Sequence, residues 1–312
     1  MNKNNLFLSI IIPVFNEEKN IQPLLKRLIL VIEKYNFEII FVSDGSTDKT
    51  EEIIKNEAKK NKRIKLISFF RNFGHQMALF AGYKYAKGDA VISLDADLQD
   101  PPEIIPKMIE EWQKGAKIVY AKREERDVDS FFKKYTAKIF YRLINFISDI
   151  PIPQDVGDFR LIDRKVVDFL KTLSEKPRFL RGLVAWPHFP SSFVYFKREK
   201  RIFGKTHYPL SKMINFALDG ITAFSIKPLR LATYLGFFTS FIAILIVFYK
   251  SFQHFILKKG EWLPGWASLF FAIVFLGGVQ LVTIGIIGEY VGKIYEEIQK
   301  RPNYIIKEKI NL

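Results

Sequence analysis

Two long stretches in the C-terminal third of this 312-residue chain contain no charged residue. The first runs from Leu231 to Tyr249 and the second from Trp262 to Gly288. A helix needs about 20 apolar residues to cross ~30 Å of hydrocarbon. Soluble helices rarely stay uncharged on every face over this length. The pattern therefore predicts two membrane-spanning helices, at about 231–250 and 265–290, rather than two buried helices of a soluble core.

Basic residues near the two spans predict the orientation of the chain. With two spans, both chain ends lie on the same side of the membrane, and that side carries Lys227, Arg230, Lys293, Lys300 and Arg301. The connecting loop carries Lys250, Lys258 and Lys259. The bias favours a multi-pass protein of the inner (cytoplasmic) membrane with a cytoplasmic domain at 1–228 and a cytoplasmic tail at 293–312.

The first 125 residues alternate between short apolar runs and helical stretches. The expected strands are Phe7–Ile12, Phe37–Val42, Ile64–Phe69, Ala90–Leu94 and Lys117–Ala121. The expected helices are Asn20–Lys34, Asp48–Lys60, Gly74–Ala86 and Pro102–Lys114. This alternation predicts an α/β fold with a doubly wound, mainly parallel sheet. Such sheets bind ligands beyond the carboxyl ends of their strands.

Composition narrows the possible chemistry. Lysine and arginine total 48 against 33 aspartates and glutamates, which gives a net charge of +15 and indicates an anionic partner: nucleic acid, anionic lipid or a phosphorylated small molecule. Cysteine is absent, which excludes a disulfide framework, an iron–sulfur cluster and a thiol nucleophile. The four histidines show no metal-ligand spacing, so a zinc hydrolase has no support.

Two segments between the sheet and the spans interleave basic and aromatic residues. They lie at 131–147 and, more weakly, at 207–226. Helices of this composition lie in the membrane interface, with the basic side toward phosphates and the apolar side toward lipid. Core packing with a solvated basic face is the alternative. The closeness of 207–226 to the first span favours the interface there.

An Asp-x-Asp motif follows the fourth predicted strand. In an extended backbone, residues two apart point the same way, so Asp95 and Asp97 would direct two carboxylates to one site. Paired carboxylates suit Mg²⁺ or Mn²⁺ bridging a diphosphate. The alternative is a pair of acidic residues that only begin a loop, and the motif alone does not decide between the two.

The first two strands also end in polar residues. Glu17 and Asp44 are hydrogen-bond acceptors suited to a base or a ribose. Gly45 permits a tight turn, and we expect at least two of Ser46, Thr47 and Asp48 to cap the next helix. The chain contains neither Gly-x-Gly-x-x-Gly nor Gly-Lys-Ser/Thr, so a dinucleotide-oxidoreductase site and a P-loop are not supported.

Seven segments occur in an order and spacing typical of one family. They are PVFNEE, VSDGSTDKT, RNFGHQMAL, SLDADLQDPPE, GDFRLIDRKV, RFLRGLVAW and FALDGITAFS. Together they resemble the family 2 glycosyltransferases of the GT-A fold. More narrowly, the chain resembles the GtrB-like bacterial polyprenyl-phosphate glycosyltransferases, relatives of dolichol-phosphate mannose synthase. The resemblance covers nearly the whole chain, including both spans.

The resemblance implies a reaction and its participants. A sugar would pass from a nucleotide sugar, with uridine as the expected base, to a polyprenyl (undecaprenyl) phosphate at the cytoplasmic membrane face. The reaction would be a metal-dependent, inverting displacement assisted by Mg²⁺ or Mn²⁺. No nucleic-acid partner is expected. Homo-oligomers are possible, since Gly288 and Gly292 form a small-x-x-x-small pair.

The resemblance also implies roles for individual residues. The nucleotide sugar would contact Pro13, Phe15, Glu17, Asp44, Asp95 and Arg123. The metal would be held by Asp95, Asp97 and Gln99, and the catalytic residues would be Asp97 and Asp158. Acceptor and phosphate groups would contact Arg126, Arg181, Arg198, Arg201 and Lys205. We expect Asp158 to orient the acceptor or support charge on the sugar more than to act as a base.

Two departures concern the acceptor side. His207 follows Gly-Lys-Thr where the family usually has lysine, and His188 stands where Trp-x-Gly-Phe predicts glycine. Three other functions remain alternatives. A processive polysaccharide synthase would need an Arg-Trp dipeptide and more spans. A non-catalytic membrane tether that binds anions would tolerate loss of the acidic pair. A nucleotidyltransferase would need a glycine-rich N-terminal loop.

Overall fold

The computed structural model describes residues 6–124, 156–173, 175–176, 179–197, 199, 222, 225–255 and 265–312. The predicted interfacial helices lie outside these residues, apart from positions 222, 225 and 226. The described chain divides into two compact units. We call residues up to 222 together with 302–312 the sheet unit, and residues 225–301 the hairpin unit.

The alternation predicted for the first 125 residues is confirmed. The strands are β1 (Phe7–Val14), β2 (Asn36–Ser43), β3 (Ile64–Phe69), β4 (Ala90–Ser93) and β5 (Ile118–Arg123). The helices are α1 (Ile21–Ile32), α2 (Thr50–Lys60), α3 (His75–Tyr85) and α4 (Ile105–Gln113), the last preceded by a 3-10 turn at Pro102–Ile104. Strands covered on both faces appear in sequence as continuous apolar runs, which made them recognisable.

Further elements extend this sheet to eight strands. They are β6 (Val156–Asp163), α5 (Arg164–Thr172), α6 (Leu180–Ala185), β7 (Ser191–Phe196) and β8 (Ile306–Ile310). The strand order is β7-β5-β6-β4-β1-β2-β3-β8. Strand β6 runs antiparallel to both β4 and β5, and β8 runs antiparallel to β3. The other pairs are parallel, so the sheet is mixed and mainly parallel, as expected.

Strand β8 corrects the predicted tail at 293–312. The second long helix continues to Ile298, and Ile306–Ile310 then pairs with the edge of β3. The segment IKEKI alternates apolar and charged residues over one short strand. Charged side chains are common on edge strands because they discourage pairing with other chains. They also make such a strand resemble a solvated tail in sequence.

Helices cover both faces of the sheet. Ile10 and Ile12 belong to one apolar core together with residues of α1, α2 and α4. Ile11 points to the opposite face, as the period of two in a strand requires. There, a Cβ atom added to Gly82 of α3 would lie 2.2 Å from Cγ2 of Ile11. Helix α3 therefore packs closely on β1 because residue 82 has no side chain.

The hairpin unit consists of two long helices, α7 (Lys227–Phe255) and α8 (Trp266–Ile298). Both contain windows long and apolar enough to cross a membrane, at Lys227–Ile246 and Leu269–Ile298, and at most 6% of either window is buried. The helices are longer than the predicted spans. Within the unit, the Tyr290 hydroxyl donates to the Ser225 carbonyl at 2.7 Å.

Asp163 joins three elements of the sheet unit and supplies the first prediction. One carboxylate oxygen accepts from Trp112 Nε1 at 2.8 Å and from Lys117 Nζ at 2.9 Å, and the other accepts from the Lys165 amide at the start of α5. Asp163→Ala should destabilise the protein by about 2 kcal/mol, because it removes a helix cap and leaves two donors unpaired. Thermal unfolding in detergent measures the loss.

The control is Asp168→Ala on α5, where an exposed carboxylate lies 3.6 Å from both Arg164 and Lys171. Exposed pairs contribute little, so this change should be nearly neutral. Burial would raise the pKa of Asp163, but Lys117, the Lys165 amide and Trp112 hold it below its usual value. Its stabilisation is therefore present above pH ~4 and lost as pH falls through the folded pKa. Equal losses for both variants would contradict this account.

Candidate active site

The carboxyl ends of β1, β2, β3 and β4 lie along one edge of the sheet because these strands are parallel. Strand β6 brings a further residue to this edge from the opposite direction. Ser93, the last residue of β4, pairs with Arg160, so Asp158 lies two residues beyond the end of β4. The Ser93 hydroxyl donates to the Asp158 carbonyl and fixes this register.

The loops after β1 and β2 are fastened to each other. The Asn16 amide donates to Ser46 Oγ at 3.2 Å, and the Thr47 amide donates to Asn16 Oδ1 at 2.8 Å. Asn16 adopts a left-handed conformation (φ 56°), which asparagine tolerates better than most residues. Ser46 and Thr47 thus bond to the β1 loop, and the capping role predicted for these two residues is wrong. Asp48, the third expected cap, does bond at the start of α2, where its Oδ1 accepts from the Thr50 amide at 3.0 Å.

The residues expected to line the base and ribose pocket lie on these loops. Pro13 is buried in β1, Phe15 is 45% exposed, and Glu17 is half-buried, with Oε2 accepting from Asn20 Nδ2 at 2.5 Å. Their grouping at one sheet edge is consistent with the expectation. Their contact with a ligand stays a prediction.

Asp44 organises the loop between β3 and α3. Its two carboxylate oxygens accept from the amides of Phe73, at 2.6 Å, and Gly74, at 2.9 Å. Burial raises the pKa of Asp44, and these two hydrogen bonds only partly oppose the rise. The adjacent Gly45 has φ +73°, and a Cβ atom there would lie 2.5 Å from the carbonyl carbon of Arg71. The β2 and β3 loops therefore touch through their backbones.

The acidic motif adopts a geometry different from the one predicted. Strand β4 ends at Ser93, so Asp95 and Asp97 lie in a loop, and the argument from an extended backbone does not apply. The loop turns at Leu98, a fully buried residue with φ 60°, which is strained for leucine. Asp97 Oδ1 accepts from the Gln99 amide at 3.1 Å. A buried apolar anchor thus fixes the turn that carries both carboxylates.

Asp158 is the centre of a dense charge cluster. It is 4% exposed, and Arg181 binds both carboxylate oxygens, with Nε and Nη2 each at 3.1 Å. Arg160 Nη2 donates to Oδ1 at 2.6 Å, and Gln76 Nε2 donates to Oδ2 at 3.3 Å. His75 Nε2 lies 3.2 Å from Oδ2. Such a carboxylate is a fixed anion that orients its cationic partners.

The pKa shifts follow from these contacts. Burial would raise the pKa of Asp158, but Arg181, the His75 hydrogen bond and Arg160 outweigh it and hold the pKa well below its ordinary value. His75 also lies 3.7 Å from Asp95 Oδ1. Burial would lower the pKa of His75, yet its bond to Asp158 and the charge of Asp95 raise it. His75 thus lies between the Asp158 carboxylate and the acidic loop.

Comparisons with known proteins agree with this architecture. Residues 9–170 match the model of glycosyl transferase family 2, and residues 227–294 match that of the GtrB C-terminal hairpin. The chain belongs to glycosyl transferase family 2. It is therefore a glycosyltransferase with a membrane-associated C-terminal hairpin, which confirms the resemblance and the GT-A fold class.

Two curated relatives are similar over nearly the whole chain. An uncharacterized glycosyltransferase of Synechocystis sp. is 48% identical over 306 residues, covering 96% of this chain and 95% of the relative. A prophage-derived bactoprenol glucosyl transferase of Shigella flexneri is 45% identical over 303 residues, covering 96% and 97%. A solved glucosyl-3-phosphoglycerate synthase of Mycobacterium tuberculosis is 19% identical with a TM-score of 0.49, covering 70% of this chain and 78% of that one.

The glycosyltransferase places two of the predicted phosphate-binding arginines near Asp158. Arg181 pairs with it directly, and Arg123, at the end of β5, has Nη2 3.3 Å from the position of a Cβ atom added to Gly157. Arg123 Nε is buried and has no hydrogen-bond partner among the described residues. The remaining predicted cations lie outside the described residues, as does His207: Arg126, Arg198, Arg201 and Lys205.

Three residues of the cluster were missed from the sequence: His75, Gln76 and Arg160. The first two begin α3 directly after the carboxyl end of β3, where ligand-binding residues of such sheets lie, and this position was the available signal. Arg160 lies two residues from Asp158 in a strand, so both side chains share one face. Without knowing that 156–163 is a strand, that relation is invisible.

The departure at His188 has a local explanation. This residue adopts the left-handed conformation (φ 54°) in which glycine is favoured, and its Nδ1 lies 2.8 Å from the Trp186 carbonyl. Trp186 and Phe189 pack on Phe169, with ring centroids at 6.0 and 6.1 Å. The turn keeps its conformation, and histidine replaces glycine at the cost of some strain.

The acidic loop fits a divalent cation that is shared with a substrate. Among the described residues, no group of three or more His, Asp or Glu side chains is arranged to hold a metal alone. Mg²⁺ commonly uses one or two carboxylates together with substrate phosphates and waters. Burial raises the pKa of Asp95, and the neighbouring charges of Asp158 and Asp97 add to the rise. A cation would relieve this crowding of negative charge.

Gln99, one of the expected metal ligands, is hydrogen-bonded to Glu199. Its side-chain Nε2 donates to the Glu199 carbonyl at 3.4 Å, and its backbone carbonyl accepts from the Glu199 amide at 3.0 Å. Glu199 in turn binds Arg27 of α1, with Oε1 2.9 Å from Nη2. Gln99 thus ties the acidic loop to the segment after β7, whether or not it also contacts a cation.

Gly45 supplies the prediction for this site. Gly45→Ala should lower the unfolding midpoint, because it combines a left-handed backbone with a backbone clash at the Arg71 loop. Gly115→Ala is the matched control, since Gly115 has φ +114° but no atom within 4 Å of the added Cβ. The amount by which Gly45→Ala lowers the unfolding midpoint more than Gly115→Ala does reports the close approach of the two loops. Equal midpoints would mean that the loops are not packed as described.

Proposed function

We propose that this enzyme transfers glucose from UDP-glucose to undecaprenyl phosphate, giving a polyprenyl-phosphate-linked sugar. The site's geometry supports the reaction class: an acidic loop suited to a cation adjoins an arginine held by Asp158. That arrangement suits a reaction between two phosphate-bearing substrates. The substrates are proposed because the Shigella flexneri relative, 45% identical over nearly the full length, is named a bactoprenol glucosyl transferase.

In this proposal, Asp95 and Asp97 would hold the Mg²⁺ or Mn²⁺ that accompanies the donor. When bound, the cation offsets the charge that develops on the departing nucleoside diphosphate. Pro13, Phe15, Glu17 and Asp44 line the base and ribose pocket. His75 separates Asp95 from Asp158 and keeps the two carboxylates from sharing one cation.

Asp158 acts as an orienting anion and not as a base. A carboxylate whose pKa is held well below the ordinary value is a poor proton acceptor. The acceptor phosphate has a second pKa of ~6, so it is close to dianionic at neutral pH and needs no deprotonation. Asp158 fixes the guanidinium of Arg181, which directs the acceptor phosphate toward the sugar for a single in-line, inverting displacement.

The hairpin accounts for the use of a lipid acceptor. Exposing a prenyl chain to water costs ~0.8 kcal/mol per CH₂, so the reaction must take place at the headgroup plane. We propose that α7 and α8 hold the enzyme in the inner membrane with the sheet unit on the cytoplasmic side. Arg123, Arg126, Arg198, Arg201 and Lys205 then contribute positive charge toward donor or acceptor phosphates.

The direct test incubates purified full-length protein with undecaprenyl phosphate, Mg²⁺ or Mn²⁺ and a panel of radiolabelled nucleotide sugars. We expect a lipid-extractable product formed from UDP-glucose. It should carry one glucose, whose anomeric configuration is inverted relative to the donor. A water-soluble polymer would favour a processive synthase. Absence of product with every donor, despite folded protein, would contradict the proposal.

Neutralising the acidic loop should abolish turnover. Asp95→Asn and Asp97→Asn are each expected to reduce kcat at least ~100-fold, because charge stabilisation at the leaving group is usually the largest catalytic contribution. The affinity for UDP in the presence of Mn²⁺, measured by calorimetry, should fall together with kcat. Asp168→Asn on the α5 surface is the control with an equal change of charge. The metal-dependent mechanism would be contradicted if the protein with both substitutions, or the wild-type protein in the presence of a chelator, kept full activity.

Asp158→Asn separates an orienting role from a basic one. Loss of the charge leaves Arg160 and Arg181 without their anion, so kcat should fall strongly while UDP binding stays near normal. Because the pKa of Asp158 lies well below its ordinary value, this carboxylate stays ionised between about pH 5.5 and 8. Its titration should therefore cause no decrease in the wild-type kcat over that range. Near-normal turnover of the variant would show that Asp158 is dispensable.

A further inference from the structure

The segment after the hairpin is part of the sheet unit, and its contacts reach the donor-side loops. Residues 304–311 lie along β3 and α2. Lys55 Nζ is 2.5 Å from Glu308 Oε2, and Asn311 Nδ2 donates to the carbonyls of Ala58, at 2.8 Å, and Ile64, at 2.9 Å. The Asn311 contacts anchor the segment at the amino end of β3, whereas Glu308 lies opposite Ser68, near the carboxyl end.

At the other end of β3, the same segment packs on aromatic rings. Tyr304 stacks on Phe69, with ring centroids 4.9 Å apart and planes 14° apart. Phe69 meets Phe73 edge to face at 5.8 Å and 89°. The Phe70 amide donates to the Ile305 carbonyl at 3.2 Å. Tyr304 is half-buried, and this burial raises the pKa of its hydroxyl to about 12.

The last of the three rings, that of Phe73, belongs to the loop at 70–74, which Asp44 also binds. Phe73 donates its amide to Asp44, and His75 follows two residues later. On the Asp44 side, the backbone of Arg71 and Asn72 also approaches Gly45, while the side chains of Phe70, Arg71 and Asn72 are exposed. One side of the loop is therefore fixed by Asp44 and the other by the C-terminal segment.

We infer that Tyr304 is a positioning residue for donor binding, acting through Phe69 and Phe73 on the loop at 70–74. The inference rests on the proposed function, because it assigns Asp44 and its loop to the nucleotide site. It adds that a residue from beyond the membrane helices, remote in sequence from every donor-site motif, completes that site. Tyr304 touches no substrate in this account.

The experiment measures binding of UDP with Mg²⁺ to full-length protein in detergent, together with donor KM and kcat. Tyr304→Leu removes the stacked ring and should weaken UDP binding about 3- to 10-fold, in line with the strength of an aromatic pair. Donor KM should rise with little change in kcat. Tyr304→Phe keeps the ring and should restore both values.

Asn311→Ala is the matched control. It removes three side-chain hydrogen bonds, to the Ala58 and Ile64 carbonyls and from Lys62 Nζ, at the end of the segment far from the loop. It should therefore lower the unfolding midpoint and leave UDP binding unchanged. If Tyr304→Leu and Asn311→Ala weaken UDP binding equally, Tyr304 only stabilises the fold and the inference is wrong. Unchanged UDP binding in Tyr304→Leu would also overturn it.

A second variant and a double-mutant cycle test whether Tyr304 acts through Phe73. Phe73→Leu interrupts the same path and should itself weaken UDP binding, and combining it with Tyr304→Leu should weaken binding less than the sum of the two single effects. Strict additivity would contradict a shared path. Failure of wild-type protein to bind UDP would overturn the proposed donor, whereas wild-type binding that Tyr304 variants leave unchanged overturns only this inference.

Discussion

The buried carboxylate of Asp158 is the interaction on which the active site depends. An isolated buried charge is costly, and this one is stabilised by Arg160 from its own strand, Arg181 from α6 and His75 from α3. Removing the anion would leave its cations unpaired, so the cluster is stable only when complete. Because Asp158 needs all of these partners, the cluster constrains how β6 aligns with β4 and how α3 and α6 approach the sheet edge. Under the proposed mechanism, the contacts that stabilise this part of the fold are also the ones that orient Arg181 for catalysis.

The neighbouring loops are held by a different principle. Side chains of one loop satisfy the backbone amides of the adjacent loop. Asn16 joins the β1 loop to the β2 loop, and Asp44 joins the β2 loop to the β3 loop. Gly45 allows the last pair to meet backbone to backbone. Each loop is ordered by the next, which gives a preorganised polar edge of the kind that charge-stabilising catalysis requires.

The sequence predicted the parts of this molecule that follow local rules. Buried parallel strands read as apolar runs, so β1 to β5 and their helices were located within a few residues. Strand β8 was not predicted, because its pairing with β3 depends on a partner more than 200 residues away. The Asp95–Asp97 pair was found for an incorrect reason: the strained turn at Leu98, not strand alternation, orients it. His75 acquires meaning only from Asp95 and Asp158, which sequence spacing does not place beside it.

The position of β8 changes how the chain should be divided. If the sheet unit ended near residue 228, the hairpin would be an appendage that could be removed without affecting the nucleotide site. Instead the chain leaves the sheet unit, forms two long apolar helices, and returns at Pro302 to complete the sheet edge. A truncation before the hairpin would expose β3 and remove Tyr304 from Phe69. Because exposed strand edges favour aggregation and the ring contacts adjoin the loop at 70–74, a chain that ends at residue 228 should be less stable and more prone to aggregate than the full-length protein.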